Sequence, residues 1–360
     1  MTNEKVFINA DEFFNQMHEA ISGAKKTVYL ETYIFEQDQL GYRTLAVLAA
    51  AAQRGLKVQL LIDGVGSAQW TYSHAEVYRK QGIDLQFFHP LAWQKHPSKI
   101  LQSLTLQKIV TGFSKANHRN HRKICIIDDQ ILFICSMNIS DRHLKSVNGD
   151  KAWRDTGVRV EGSSIQTYVI SCLETWKYPH QFFGLRWIQV RQQKKKSHQE
   201  ILRLMHFASK QIWITNPYFV PDFKLLKVLF KAARAGIEVK ILVPMHSDIL
   251  GLKFAMQGFY GALLKRGCQI FEYTPSILHA KILIVDNWAS VGSTNLDYRS
   301  IFYNLEADIA IAKIENVDLL KQQFIDDLKN SKQVTLQEWN QRPWYRRLLQ
   351  RFFLFFRGVF

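Results

Sequence analysis

Hydrophobic and polar positions along the chain form two recurring patterns, one typical of helices and one of strands. Residues 52–61 read Ala-Gln-Arg-Gly-Leu-Lys-Val-Gln-Leu-Leu, in which a helical pattern ends at Gly55 and an alternating apolar strand follows. Residues 233–242 read Ala-Arg-Ala-Gly-Ile-Glu-Val-Lys-Ile-Leu and repeat this pattern around Gly236. Because glycine favours a sharp helix end, each segment predicts a helix followed by a strand.

The repeat continues through both halves of the chain. Residues 82–90 (Gly-Ile-Asp-Leu-Gln-Phe-Phe-His-Pro) match residues 267–275 (Gly-Cys-Gln-Ile-Phe-Glu-Tyr-Thr-Pro), and residues 121–128 match residues 279–286. The matching segments occur in the same order in each half. The sequence therefore predicts a duplicated α/β unit rather than an array of short repeats.

The spacing of the repeats predicts the domain boundaries. The separation between matching residues falls from 185 at Gly82 to 158 at His121, so the first half carries an insertion of 27 residues. A long insertion before a candidate site is typical of a lid, and an ordinary surface loop explains it equally well. We predict a first half over 1–190 with the insert at about 91–117, a basic linker over 191–197, a second half over 198–340 and a basic, aromatic tail over 341–360.

Composition narrows the functional classes. A hydrophobic content of 47% excludes a disordered chain, and a net charge of +16 favours a polyanionic partner, either nucleic acid or an anionic lipid surface. The four cysteines form no C-x-x-C pair and are expected to be reduced, buried thiols. We expect no signal peptide and no transmembrane helix, since the chain starts without a basic and then apolar segment and no apolar run reaches about 18 residues.

Two short motifs concentrate the candidate chemistry. His121 and Lys123 stand at the start of an apolar, β-branched run, and His279 and Lys281 stand at the start of another. Side chains two apart in a strand face the same side, so each strand would present an imidazole beside an ammonium. A lysine on an apolar strand is costly unless it meets an anion, and its recurrence argues against two ordinary core histidines. The lysines also argue against a metal site, because they would repel a cation.

Further polar residues recur after each motif. Asn138 and Asn295 each follow another short apolar strand, and an asparagine can donate to phosphate oxygens without adding charge. Asp155 and Glu306 are candidate carboxylates for orienting the two histidines. Taken alone, either carboxylate would more often be an ordinary surface charge.

These motifs together resemble the phospholipase D superfamily, and within it the bacterial cardiolipin synthase branch. The resemblance covers about Val28 to Trp344 and rests on paired H-x-K-x-x-x-x-D motifs that start at His121 and His279. The segments that carry it are 119–123, 153–156, 215–221, 278–281 and 292–300. One position departs from the family pattern: a cysteine, Cys135, stands where the family usually has glycine, and its β-carbon would narrow the phosphate pocket or shift the backbone.

The resemblance implies a duplicated α/β/α sandwich with mainly mixed β-sheets, whose two halves are related by a pseudo-twofold axis and share one site. The catalytic residues that it implies are His121, Lys123, Asp128, His279, Lys281 and Asp286. Phosphate would be bound by Lys123, Asn138, Lys281 and Asn295, and the imidazoles would be oriented by Asp155 and Glu306. We expect His121 to attack phosphorus and His279 to act as general acid and then base, although the symmetry of the motifs leaves the reverse open. The resemblance implies no metal and no cofactor.

The implied reaction joins two phosphatidylglycerol molecules into cardiolipin and releases glycerol through a phosphohistidine intermediate. The nearest alternative is a phospholipase D that admits water or another alcohol; a nuclease or a non-catalytic binding protein is more distant. Intact motifs argue against a non-catalytic protein, and without a regular aromatic stacking platform we expect no nucleic-acid partner. We expect an anionic phospholipid substrate and a peripheral position on the cytoplasmic face of the bacterial inner membrane, with the oligomeric state left open.

The end of the chain has a pattern of its own. From Trp344 to Arg357, aromatic and apolar residues recur at helical spacing, and arginines fall largely on another face. This pattern predicts an amphipathic helix that lies on an anionic lipid surface. A helix docked on the protein core has the same periodicity and is the alternative.

Overall fold

The structure is a computed structural model that describes residues 3–100, 118–179 and 185–355. The chain divides into two compact units, and each unit includes a short segment from the other half of the sequence. Unit 1 comprises Met1–Asn148, Gly157–Ile188 and Asn304–Ala307, and unit 2 comprises Gly149–Thr156, Gln189–Tyr303 and Asp308–Phe360.

Unit 1 is built on a seven-stranded mixed sheet. Its strands are β1 (Asn3–Phe7), β2 (Thr27–Thr32), β3 (Lys57–Asp63), β4 (Asp84–Phe88), β5 (Ile124–Ile127), β6 (Ile131–Cys135) and β7 (Gly157–Glu161). Its helices are α1 (Ala10–Gly23), α2 (Gln39–Gln53), α3 (Tyr72–Lys80), α4 (Pro97–Ile100), α5 (Lys145–Asn148) and α6 (Gln166–Lys177). The strand order is β1-β7-β6-β5-β2-β3-β4, with β2, β3 and β4 parallel and the other neighbours antiparallel.

Side chains along each strand of the unit 1 sheet point alternately to its two faces, and helices pack against both faces. Leu30 on β2 lies in one buried cluster with Phe13 of α1 and Leu45 of α2. The preceding residue, Tyr29, faces the other way and makes an edge-to-face contact with Trp176 of α6, with ring centroids 6.0 Å apart. Unit 1 is therefore a three-layer α/β/α sandwich.

Unit 2 has the same construction. Its strands are β8 (Gln211–Thr215), β9 (Glu238–Pro244), β10 (Gln269–Tyr273), β11 (Ile282–Val285), β12 (Trp288–Gly292), β13 (Asp308–Ala310) and β14 (Ser331–Val334). The boundary between the units falls within α7 (Leu185–His206). The helices of unit 2 that follow are α8 (Phe223–Arg234), α9 (Leu250–Gln257), α10 (Tyr260–Leu264), α11 (Tyr298–Phe302), α12 (Ile314–Lys329), α13 (Leu336–Gln341) and α14 (Trp344–Phe355). On β8, Ile214 packs with Leu229 of α8, whereas Trp213 stacks on Phe324 of α12 with ring centroids 4.9 Å apart.

The two sheets confirm the predicted duplication and the mixed α/β fold. The unit 2 order is β13-β12-β11-β8-β9-β10-β14, so six strands occupy the same places in both sheets. The seventh strand differs: β1 pairs with β7 in unit 1, whereas β14 pairs with β10 in unit 2. The three repeated sequence segments contain β3, β4 and β5 in unit 1 and their counterparts β9, β10 and β11 in unit 2, and the additional strand of each sheet lies outside these segments.

Two of the predicted segments differ in local structure from the expectation or lie partly outside the described residues. The segment 191–197, expected as a linker, lies inside α7, because lysine and glutamine favour a helix over a coil. Of the predicted insert at 91–117, the structure describes a 3₁₀ turn over Ala92–Gln94 and the short helix α4. Residues 101–117, on which the predicted lid mostly depends, lie outside the described residues.

Candidate active site

Each histidine motif lies in the extended segment that leads into a strand. β5 begins at Ile124 and β11 at Ile282, so the two motifs precede their strands rather than lying on them as expected. The Nζ atom of Lys123 donates to the carbonyl oxygen of His121 at 2.7 Å. In unit 2 the contact repeats, from Lys281 to His279, at 2.6 Å. Each buried ammonium is therefore held against the backbone of its own histidine.

Each imidazole contacts a carboxylate through its Nδ1 atom. Nδ1 of His121 lies 2.9 Å from Oε2 of Glu306, and Nδ1 of His279 lies 3.1 Å from Oδ1 of Asp155. A carboxylate accepts and does not donate, so each Nδ1 atom carries the hydrogen of this contact. The structure thus brings both predicted carboxylates to the predicted histidines.

Each carboxylate lies on a short segment that belongs to one half of the sequence but is part of the unit formed by the other half. Glu306 belongs to the segment Asn304–Ala307, which lies in unit 1, and Asp155 to the segment Gly149–Thr156, which lies in unit 2. Each histidine is thus paired with a carboxylate from the other half of the sequence.

Backbone hydrogen bonds hold both exchanged segments in place. In unit 1 the N–H of His121 donates to the carbonyl of Leu305 at 2.9 Å. In unit 2 the N–H of His279 donates to the carbonyl of Arg154 at 2.8 Å. In each segment the hydrogen-bonded residue directly precedes the carboxylate that contacts the histidine, so the backbone contact sets the position of that side chain.

An aromatic ring packs against each imidazole. The Tyr33 and His121 ring centroids lie 5.0 Å apart, and the Nζ atom of Lys123 lies 5.5 Å from the Tyr33 centroid. In unit 2 Trp153 packs against His279 with centroids 5.3 Å apart. Sequence reasoning missed Tyr33, for which the available signal was its place directly after β2, the neighbour of β5 in the sheet.

The two predicted asparagines are both buried but have different contacts. The Oδ1 atom of Asn138 accepts from the backbone N–H of Ile34 at 3.2 Å, which leaves its amide NH₂ group as a donor. The loop that carries Asn295 is held by Asn216, which accepts from the N–H of Leu296 at 3.2 Å. Both asparagines are 4% exposed, so each holds its neutral amide in a buried position.

Buried ion pairs fix the segment around His121. Arg119 lies 2.6 Å from Oδ1 of Asp63, and Arg122 lies 2.8 Å from Glu31. All four side chains are almost completely buried, so loss of one partner would leave an uncompensated charge. His121 is therefore flanked in the chain by two residues, Arg119 and Arg122, whose side chains are fixed by buried ion pairs.

Comparison with known proteins identifies the family. Residues 17–168 and 201–328 match the family model described as cardiolipin synthase, PLD-like domain. The chain belongs to the cardiolipin synthase, PLD-like domain family. A cardiolipin synthase of Halalkalibacterium halodurans is 31% identical over 97% of this chain and 70% of its own length. Cardiolipin synthase 1 of Bacillus anthracis is 30% identical over 98% of this chain and 71% of its own length.

Solved structures show the same fold. A phosphatidylserine synthase of Haemophilus influenzae Rd KW20 has a TM-score of 0.73 and 15% identity, and the match covers 99% of this chain and 95% of that one. A polyphosphate kinase of Porphyromonas gingivalis has a TM-score of 0.60 and 12% identity over all of this chain and 53% of its own. At these identities the likeness is one of fold.

The cysteine in place of the family glycine keeps the backbone contact of the site. The N–H of Cys135 donates to the carbonyl of Lys123 at 3.3 Å, as the N–H of Gly292 does to the carbonyl of Lys281. Cys135 has no positive φ angle, and its side chain lies in the buried cluster that includes Phe13. The core therefore accommodates the β-carbon of Cys135. The antiparallel pairing of β5 with β6 matches that of β11 with β12 in unit 2.

The last residues of the two motifs lie at the opposite end of their strands from the histidines. The Asp128 carboxylate accepts from the backbone N–H groups of residues 25–27 at 2.7–2.9 Å, and Asp286 accepts from those of residues 209–211 at 2.8–3.0 Å. Partial burial alone would raise the pKa of each carboxyl group, but these donors outweigh it and hold the pKa below its ordinary value. The structure thus gives both aspartates, which were expected among the catalytic residues, a structural role as anchors for the start of β2 and β8.

Two kinds of feature are absent from the described residues. Within residues 3–100, 118–179 and 185–355, no group of three or more His, Cys, Asp or Glu side chains is arranged to hold a metal ion. In the same part of the chain, no helix is both long and apolar enough to cross a membrane.

Proposed function

We propose that this protein is a phosphatidyltransferase that makes cardiolipin from two phosphatidylglycerol molecules and releases glycerol. Family membership over most of the chain supports this reaction. The observation that carries the proposal is the pair of matching half-sites, in which His121 contacts Glu306 and His279 contacts Asp155. Each half-site also holds a buried lysine, which donates to the carbonyl of its histidine.

The proposed chemistry uses the two imidazoles in turn on one phosphodiester. Nε2 of His121 attacks the phosphorus of the first phosphatidylglycerol, so a P–N bond forms while the P–O bond to glycerol breaks. Protonated His279 gives its proton to the leaving glycerol oxygen. His279 then takes a proton from the hydroxyl of the second phosphatidylglycerol, whose oxygen attacks phosphorus and breaks the P–N bond.

The remaining residues stabilise charge that develops during these steps. Lys123, Lys281, Asn138 and Asn295 would donate to the non-bridging phosphate oxygens. Glu306 and Asp155 would keep the imidazole rings in their productive orientation and stabilise the imidazolium form. The exchange of roles between His121 and His279 is the alternative that the matching half-sites leave.

We also propose that the protein acts peripherally at an anionic membrane, with the cytoplasmic face of the bacterial inner membrane as its location. The tail helix α14 supports this proposal because its two faces differ. Phe353 stacks on Phe254 of α9 with ring centroids 5.6 Å apart, so one face is docked on unit 2. Trp344 is 72% exposed and Leu348 is 53% exposed on the outer face, as expected for an interfacial helix.

The test is incubation with phosphatidylglycerol vesicles, followed by mass spectrometry of the lipids and measurement of free glycerol. Cardiolipin and glycerol in equal amounts are expected. Phosphatidic acid as the main lipid product would instead indicate hydrolysis by a phospholipase D. Unchanged lipid would contradict the proposed function.

A further inference from the structure

A basic cavity lies in unit 2 between α10, α13 and α14. Its volume is about 260 Å³. Four of its lining side chains are cationic, namely Lys265, Arg342, Arg347 and Arg351, and none is acidic. Neither histidine half-site contributes a residue to it. A cavity lined only by cations and neutral groups favours an anionic ligand.

Arg342 is held in the cavity wall by neutral partners. Its guanidinium lies over the ring of Trp339 at 4.2 Å from the centroid, donates to the Trp339 carbonyl at 2.6 Å and donates to Gln350 at 3.0 Å. Desolvation first, and then the charges of Arg347 and Arg351, lower the pKa of Arg342. The three arginines therefore repel one another, and a bound anion would relieve this repulsion.

A buried donor adjoins the same cavity. Trp339 is 9% exposed, and its indole nitrogen has no hydrogen-bond partner among the described residues. A β-carbon at position 261 would lie 3.2 Å from this nitrogen, so Gly261 leaves room beside it. A buried indole N–H usually finds an acceptor, and an oxygen of an anionic ligand is one that this wall would accommodate.

The helix that supplies Arg347 and Arg351 also exposes aromatic and apolar side chains. Trp344, Tyr345 and Leu348 are each more than half exposed on the first two turns of α14. Aromatic rings and leucines partition into the headgroup region of a bilayer, while arginines bind the phosphates at that depth. The cavity and the exposed face are therefore placed to meet the same lipid surface.

We propose that this cavity binds the phosphate group of an anionic phospholipid in the membrane surface, as a site separate from the two histidine half-sites. Guanidinium groups suit this ligand because they can donate two parallel hydrogen bonds to phosphate oxygens. The site rests on the proposed action at an anionic membrane and specifies the lipid group that is recognised there.

The test compares the variant R347Q/R351Q with the control K224Q/K231Q, which removes the same charge from exposed positions on α8. Cosedimentation is measured with vesicles of phosphatidylglycerol and phosphatidylcholine. We expect the wild type and the control to bind equally and R347Q/R351Q to bind at least about tenfold more weakly. Equal binding by R347Q/R351Q and the control would overturn the proposal, because charge alone would then explain the affinity.

Two further arms separate this site from other sources of the signal. Turnover is measured on phosphatidylglycerol dispersed in detergent, where R347Q/R351Q should match the wild type because its half-sites are intact. A loss of turnover in detergent would place the cavity in catalysis and overturn the proposal. If inorganic phosphate or an oligonucleotide binds the wild type more tightly than R347Q/R351Q while vesicles bind both equally, a free anion or a nucleic acid is the ligand, and the proposal is likewise overturned. If no variant makes cardiolipin but the difference in vesicle binding persists, the proposed function fails while the lipid site stands.

Discussion

Replacement of Glu306 by glutamine tests the role of the carboxylate beside His121 with little change in side-chain size. In the wild type the Nδ1 atom of His121 lies 2.9 Å from the carboxylate, and both side chains are nearly buried. The amide oxygen of a glutamine can still accept from Nδ1, so the ring orientation is largely kept. What the substitution removes is the negative charge that stabilises the imidazolium form during turnover.

The magnitude follows from Coulomb's law. Opposite unit charges about 4 Å apart attract by roughly 4 kcal/mol at an effective dielectric constant of about 20. We halve this value because the hydrogen bond to the amide oxygen remains and the loss of charge is partly screened. A loss of about 2 kcal/mol corresponds to a fall in turnover of about 30-fold.

The assay is the initial rate of cardiolipin formation from phosphatidylglycerol, with kcat and KM determined separately. The fall is expected in kcat, because the imidazolium develops only during the reaction. Glu174→Gln, an exposed position on α6, is the matched control and should keep the wild-type rate. A Glu306→Gln variant whose kcat stays within about threefold of the wild type would refute the reasoning.

Three further substitutions test the parts of the fold that support the site. Asp128→Ala removes the acceptor for residues 25–27 and should lower the free energy of unfolding by about 2 kcal/mol in urea titration; lost turnover without lost stability would instead make Asp128 catalytic. Arg154→Met leaves the buried Asp327 carboxylate without its ion pair at 3.0 Å and should lower stability by about 3 kcal/mol; an unchanged urea midpoint would contradict this. Burial, followed by the charge of Arg43, lowers the pKa of His18 from 6.5 to about 4. The unfolded chain therefore binds this proton first, and about 3 kcal/mol of stability should be lost as pH falls from 6.5 to 4; the same slope in His18→Gln would contradict the assignment.

Much of the fold could be predicted because the hydrophobic pattern repeats. The predicted helix ends at Gly55 and Gly236 correspond to the ends of α2 and α8. The predicted apolar strands after Lys123 and Lys281 correspond to β5 and β11. The helix over 191–197 was not predicted because a basic run is compatible with both a linker and an exposed helix. Local composition alone does not separate these two cases.

The pairing of histidines with carboxylates was harder to predict than their identity. Asp155 and Glu306 stood out as candidates by sequence, but nothing local shows which unit a segment joins. In a duplicated fold the two units offer equivalent places, so the exchange of the segments Gly149–Thr156 and Asn304–Ala307 becomes visible only in the structure. Tyr33 was missed for a related reason, since its contact with His121 depends on the strand order.

For the tail helix, periodicity predicted the helix but not what its apolar face contacts. The spacing from Trp344 onward predicted a helix with an apolar face, and the structure has one over Trp344–Phe355. Periodicity did not separate docking on the core from exposure to lipid, and α14 combines a docked face with an exposed one. Phe353 and Gln350 contact α9 through Phe254 and Gln257, whereas Trp344 points to the surface.

The most direct test of the central claim is cardiolipin formation by His121→Ala and His279→Ala, measured on phosphatidylglycerol vesicles beside His74→Ala. If the two half-sites serve one reaction, each active-site substitution alone should abolish turnover while the control keeps the wild-type rate. Full activity in either His121→Ala or His279→Ala would contradict a mechanism that uses both imidazoles.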